Sequence, residues 1–163
     1  MIVERQAATV PILPSFGDPK WIPKAPAHTP DERPRLGHHD KIRIIVIDDE
    51  AMIADTVVEI LNQEGFEATA VSDGESAVEI SKTLRPDIVL SDVIMPGLNG
   101  IEVGIKIREV VPDCKIILFS GQAATVDLLE KARQQGHHFQ ILAKPIRPEK
   151  LISVIRDSTN YRS

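Results

Sequence analysis

Asp87-Ile88-Val89-Leu90-Ser91-Asp92-Val93-Ile94-Met95-Pro96-Gly97 is the stretch that decides the fold of this chain. Its apolar run is short, rich in β-branched side chains and closed by Pro and Gly. That is the pattern of a buried strand whose next residues leave the sheet at its carboxyl edge. Asp92 then stands at the mouth of a sheet. Open α/β sheets bind ligands at that edge, so the polar groups that other strands deliver there carry the chemistry.

From Lys41 onward, strand-like and helix-like segments alternate five times, which predicts an α/β domain with a parallel, doubly wound sheet and crossover helices. Ile42 to Ile47 reads as the first strand, followed by Asp48-Asp49-Glu50. A helix with Ile53, Val57, Ile60 and Leu61 at helical spacing comes next and stops at Gly65. Glu67 to Val71 is the second strand, and Ser72 and Asp73 are cap candidates for a helix through Ala77, Ile80 and Leu84. Asp87 to Ser91 is the third strand. Gly100 to Val111 is ambiguous, because Ile101, Val103, Ile105 and Ile107 alternate as an exposed strand would. A parallel sheet needs a crossover here, and Asn99 is a good cap, so a helix is expected. Ile116 to Phe119 forms the fourth strand, ending at Ser120-Gly121, and Ala123 to Gln135 a helix that Gly136 ends. Phe139 to Ala143 forms the fifth strand, ending at Lys144-Pro145, and Pro148 opens the last helix.

Residues 1–40 break this pattern. They hold seven of the twelve prolines and the only tryptophan, Trp21. Proline at that density removes backbone donors and fixes φ, so an extended, Pro-rich arm without regular structure is expected. A linker is the plainer reading of the arm; a docking segment anchored by Phe16, Trp21 and Ile22 is the sharper one. The folded domain is expected over 41–158, with a short tail over 159–163 and no room for a second domain. At 163 residues, 42% hydrophobic and 26% charged, the chain suffices for one domain with a proper core.

The arm carries five acids and five bases, so the whole net charge of −5 falls on the rest of the chain. An acidic domain gains little from phosphate-backbone contacts, and direct nucleic-acid binding is not expected. No apolar run approaches the length of a membrane span, and the first residues lack the basic start and long apolar stretch of a secretory signal. The single cysteine, Cys114, can form no internal disulfide, which fits a reducing, cytoplasmic location.

Four of the five expected strands deliver a polar group to one edge: Asp48 and Asp49 from the first, Asp92 from the third, Ser120 from the fourth and Lys144 from the fifth. Three crowded carboxylates repel one another unless a cation is present. Ligation by oxygen alone suits Mg²⁺, which usually shares its shell with water and a phosphate. Lys144 would neutralise a phosphoryl oxygen, and the Ser120 hydroxyl would hydrogen-bond another. Each residue alone reads as a turn former or a loop residue; the set is far more specific. The pairs His38-His39 and His137-His138 read as loop residues, since adjacent side chains diverge and no cysteine or third histidine stands at ligand spacing.

At these positions the chain resembles the receiver domains of bacterial two-component response regulators, over about residues 41–158. The matching elements are Ile47-Asp48-Asp49-Glu50, Asp92-Val93-Ile94-Met95-Pro96-Gly97 with Asn99-Gly100 after it, Ser120-Gly121, and Lys144-Pro145. The resemblance implies a flavodoxin-like five-stranded sheet in the order 2-1-3-4-5 with five helices. It also implies a single-domain receiver of chemotaxis type, not an enzyme beyond self-catalysed phosphotransfer and dephosphorylation. Asp92 would accept a phosphoryl group from the phosphohistidine of a sensor histidine kinase or phosphotransfer protein. Asp49 would bind Mg²⁺ directly and Asp48 largely through water, with the Ile94 backbone carbonyl as a further ligand. Lys144 would pair with the carboxylate or phosphoryl group, Ser120 would swing toward the phosphoryl oxygens, and the Lys144-Pro145 bond would be cis. A downstream protein target would read the change.

Three residues before the lysine, where the family places a Tyr or Phe that switches inward, this chain has Ile141. Phe139, two residues earlier, is the candidate substitute, with a plain core role ranked first. Two other functions share the chemistry. One is a phosphate sink without a downstream target. The other is a Mg²⁺-dependent phosphohydrolase with an aspartyl nucleophile, which usually wants a second carboxylate where Ile94 stands.

Overall fold

The computed structural model describes residues 41–121 and 125–160. The expected arm over 1–40, the Ala123 start of the fourth helix and residues 161–163 of the expected tail lie outside the described residues. Ten elements alternate along the chain: β1 (Arg43–Ile47), α1 (Ala51–Gln63), β2 (Glu67–Val71), α2 (Gly74–Leu84), β3 (Ile88–Asp92), α3 (Gly100–Val110), β4 (Lys115–Ser120), α4 (Thr125–Gln134), β5 (Gln140–Ala143) and α5 (Pro148–Asn160). The strands form one sheet in the order β2-β1-β3-β4-β5, with every neighbouring pair parallel. This is the doubly wound α/β architecture and strand order expected from the sequence.

The period of two along each strand sorts the core into two clusters. Ile45, Ile47, Val89, Ile116 and Leu118 pack with α2, α3 and α4 residues on one face. Ile44, Val46, Ile88, Leu90, Ile117, Phe119 and Leu142 pack with Ala54, Leu61, Leu151, Val154 and Ile155 of α1 and α5 on the other. Central strands buried on both faces read as continuous apolar runs for this reason. Each fully buried Ile or Leu stabilises the fold by about 1.5–3 kcal/mol relative to exposure. Among the described residues, no helix is long and apolar enough to cross a membrane.

Strand ends shift by a residue from the sequence expectation, each for a local reason. Asp87 falls outside β3: its carboxylate accepts the Arg43 N–H at 2.9 Å, at the amino edge of the sheet. Asp92 instead closes the strand, opposite Phe119 of β4. Phe139 falls outside β5, its ring drawn toward α3. Gly65, at φ 92°, makes the left-handed turn after α1, and the Phe66 N–H returns to the Leu61 carbonyl at 3.1 Å.

The ambiguous segment is a helix. Asn99 Oδ1 accepts the N–H groups of Ile101 and Glu102, both at 3.0 Å, and Glu102 Oε2 accepts the Asn99 N–H at 3.0 Å, a reciprocal cap. Its buried face includes Gly100, Val103, Gly104 and Ile107, spaced as one helical stripe. Two of these are glycines, so an apolar count along the sequence does not see the stripe.

Candidate functional site

The carboxyl ends of β1, β3, β4 and β5 meet at one edge. The loop after β1 places Asp48, which is only 2% exposed, and the exposed Asp49. Asp48 Oδ1 accepts the Glu50 N–H at 2.9 Å, which holds the turn into α1. Its other oxygen, Oδ2, is buried without a hydrogen-bond partner. Asp92 Oδ1 accepts the Ile94 N–H at 3.3 Å, and Oδ2 accepts from the Lys144 ammonium at 2.8 Å. The same ammonium stands 3.9 Å from Asp48 Oδ2, an ion pair too long for a hydrogen bond.

Carboxylate oxygens of Asp48, Asp49 and Asp92 lie within 4.8 Å of one another. Burial pushes the Asp48 carboxyl above its ordinary value of 3.8; the Glu50 N–H and Lys144 charge oppose this, and the charges of Asp92 and Asp49 reinforce it. Burial works against the charge of Lys144, but the hydrogen bond and charge of Asp92, with the charges of Asp48 and Glu50, outweigh it and raise its pKa. The ammonium therefore pairs with two of the three carboxylates, Asp92 and Asp48, and Asp48 still presents a buried oxygen without a hydrogen-bond partner. An all-oxygen donor set with surplus negative charge fits a hard divalent cation.

The backbone of Asp92 is held from behind. Ser91 Oγ donates to the Asp92 carbonyl at 2.9 Å, and a Cβ on Gly100 would come 2.1 Å from that carbonyl oxygen. Ser120 ends β4, and its carbonyl accepts the Lys144 N–H at 2.9 Å, so the hydroxyl and the amine share one ladder. The Ser120 hydroxyl is hydrogen-bonded to that of Thr125, at the start of α4. The Lys144-Pro145 peptide bond is cis.

The expected site residues thus separate into two groups. Asp48, Asp49, Asp92 and Lys144 converge, with Ile94 following Asp92 and its side chain 47% exposed. Ser120 adjoins Lys144 through the backbone. Ile141 is 40% exposed in β5. Phe139 lies elsewhere: a Cβ on Gly104 would come 2.9 Å from its ring, and the Arg108 guanidinium carbon sits 4.8 Å above the ring centroid. Arg108 also donates to the His138 carbonyl at 3.0 Å, and His137 stacks on Phe139 at 6.4 Å between centroids. Ser91 and Thr125 were not singled out by the sequence, and Gly100 entered only as part of the Asn99-Gly100 match. A Thr opening a helix reads as an ordinary end residue, and no spacing rule links it to Ser120.

The profile of the response regulator receiver domain family matches residues 44–156. The chain is 32% identical over 114 residues to the DNA-binding response regulator MtrA of Mycobacterium tuberculosis, covering 70% of this chain and 49% of that protein. It therefore spans about half the length of these relatives. To the chemotaxis protein CheY of Thermotoga maritima it is 31% identical over 114 residues, covering 69% of this chain and 93% of that protein. A response regulator receiver domain protein of Clostridium thermocellum superposes with a TM-score of 0.67 at 27% identity, over 74% of this chain and 96% of that one. With the strand order, the clustered carboxylates and these matches in agreement, the chain belongs to the response regulator receiver domain family.

Proposed function

We propose that this chain is a phosphorylation-driven switch whose phospho-acceptor is Asp92. The observation that carries this reading is the Asp92 carboxylate, held at 2.8 Å by the Lys144 ammonium beside the buried Asp48 oxygen that has no hydrogen-bond partner. A carboxylate oxygen of Asp92 attacks the phosphorus of a phosphohistidine on a sensor kinase or phosphotransfer protein. The P–O bond forms as the P–N bond breaks, and the departing imidazole keeps the bonding electron pair and takes up a proton. Such transfers depend mainly on positioning and charge neutralisation, and the residues at this edge are of the kinds that supply them.

Asp49 and, through water, Asp48 would hold Mg²⁺ with Asp92 and the Ile94 carbonyl; when bound, the ion would neutralise charge on the transferring group. Lys144 orients the acceptor and balances the charge it gains. Ser120 donates to a phosphoryl oxygen and passes the change to the surface, where a downstream protein target binds. The acidic balance of the domain supports protein partners rather than direct contact with nucleic acid, and the single cysteine supports a cytoplasmic site of action. A Mg²⁺-dependent mass gain of one phosphate from a small phosphodonor tests the assignment. Wild type should gain it and Asp92→Asn should not; label retained by the variant would move the acceptor elsewhere.

A further inference from the structure

Two hydroxyls meet where β4 gives way to α4, and the chemistry above uses only one of them. Ser120, the last residue of β4, is hydrogen-bonded side chain to side chain with Thr125, the first residue of α4. Thr125 is 2% exposed, so this contact is shielded from water on the helix side. The backbone of Ser120 has little freedom: it pairs with Ala143 across the sheet, and its carbonyl accepts the Lys144 N–H at 2.9 Å. What remains free is rotation about one side-chain bond, among three staggered positions.

Among the described residues, the Asp92 carboxylate takes its hydrogen bonds from the Ile94 N–H and the Lys144 ammonium, while the Ser120 hydroxyl is engaged by Thr125. A serine hydroxyl has one proton to give, and an ionised phosphoryl oxygen only accepts. Either hydroxyl can be the donor of the Ser120–Thr125 bond; with Ser120 as donor, serving a phosphoryl group on Asp92 requires it to direct that proton away from α4.

We infer that Thr125 is a positioning residue that holds the Ser120 hydroxyl against α4 in the unmodified protein and competes with the phosphoryl group for it. The inference rests on the assignment of Asp92 as acceptor and specifies how that site is regulated. The exchange of one hydroxyl partner for another links the acceptor to the first turn of α4 through side chains alone. It therefore needs no aromatic residue at position 141. An exchanged neutral hydrogen bond alters an equilibrium by about twofold to tenfold, enough to set how readily the modified state forms without forbidding it.

The test measures binding of beryllium trifluoride, a phosphoryl mimic, to the full chain with Mg²⁺ by calorimetry. Thr125→Val, which keeps the volume and removes the hydroxyl, should bind the mimic about threefold to fivefold more tightly than wild type. Thr125→Ser should restore the wild-type affinity. In a Ser120→Ala background the effect of Thr125→Val should vanish, which a purely structural role would not produce. Should Thr125→Val fail to fold, Thr125→Ala gives the same comparison. Unchanged affinity, an equal gain in both backgrounds, or weaker binding, the mark of a relay in which Thr125 donates to Ser120, overturns the inference. Wild type that binds no mimic, or Asp92→Asn that still does, removes the acceptor assignment and this inference with it. A wild type that binds only through Asp92, with Thr125→Val unaltered, removes this inference alone.

Discussion

Gly100 lies so close behind Asp92 that a Cβ there would stand 2.1 Å from the Asp92 carbonyl oxygen. The Gly100 N–H also donates to the Val93 carbonyl at 3.0 Å, so neither the helix start nor the strand end is free to retreat. Gly100→Ala should therefore cost about 1–3 kcal/mol of stability through overpacking, read as a lower urea midpoint. It should also lower the yield of phosphorylation by displacing the acceptor. An unchanged midpoint would mean that the loop after β3 gives way without cost.

The oxygens that Lys144 faces are among those that would hold a divalent cation. With the ammonium 2.8 Å from Asp92 and 3.9 Å from Asp48, its removal leaves both carboxylates without their counter-charge. Lys144→Met should bind Mg²⁺ more tightly, on the order of fivefold once solvent screening of a partly exposed pair is allowed for. Transfer to Asp92 should fall in the same variant. Titration calorimetry with MgCl₂ and the phosphate mass gain read the two effects separately.

The raised pKa of Asp48 has a definite sign. Between 3.8 and its raised value, the folded, metal-free chain binds more protons at this group than the unfolded chain does. This group's contribution therefore makes stability fall as pH rises through that window, with the full cost present above it. Urea unfolding in EDTA across this range should show the fall in wild type relative to Asp48→Asn. Cation affinity runs the other way, weakening as acid protonates Asp48.

The cap of α3 is a local device with a local magnitude. Asn99→Ala removes the acceptor of two 3.0 Å hydrogen bonds and should cost about 1 kcal/mol. Glu102→Ala, which leaves those two bonds in place, should cost less. Equal losses in the two variants would show that the Asn99 backbone N–H matters as much as the side chain.

Phe139 tests the readout from another direction. Packed on Gly104 beneath Arg108, its ring links α3 to the start of β5. Phe139→Ala should lose about 2 kcal/mol of stability, below the range for a fully buried ring, with phosphorylation of Asp92 retained. Normal stability with lost discrimination between partners would give the ring a switching role instead.

Those residues also mark how far the sequence could be read. The alternation of elements and the polar groups at four of the five strand ends were legible from periodicity and motif spacing, and the strand order from the family resemblance. The helix over Gly100–Val110 was legible only through topology, since glycine carries no apolar signal though it fills two positions of the buried stripe. Contacts between side chains on different elements left no trace. Neither the place of Phe139 against Gly104 nor the engagement of Ser120 by Thr125 follows from any spacing. Both depend on rotamers chosen after the elements have packed.

The two buried side chains of α4 are Thr125 and Ala132, both small, whereas α3 buries Ile101, Val103 and Ile107. Leu128 and Leu129 of α4 are partly buried against the same core, yet lifting α4 exposes less apolar surface than lifting α3 would, so of these two helices its amides should take up deuterium first. A partner that captures the lifted form would gain its selectivity from the low cost of that excursion, and the rest of the sheet could stay closed while it does so.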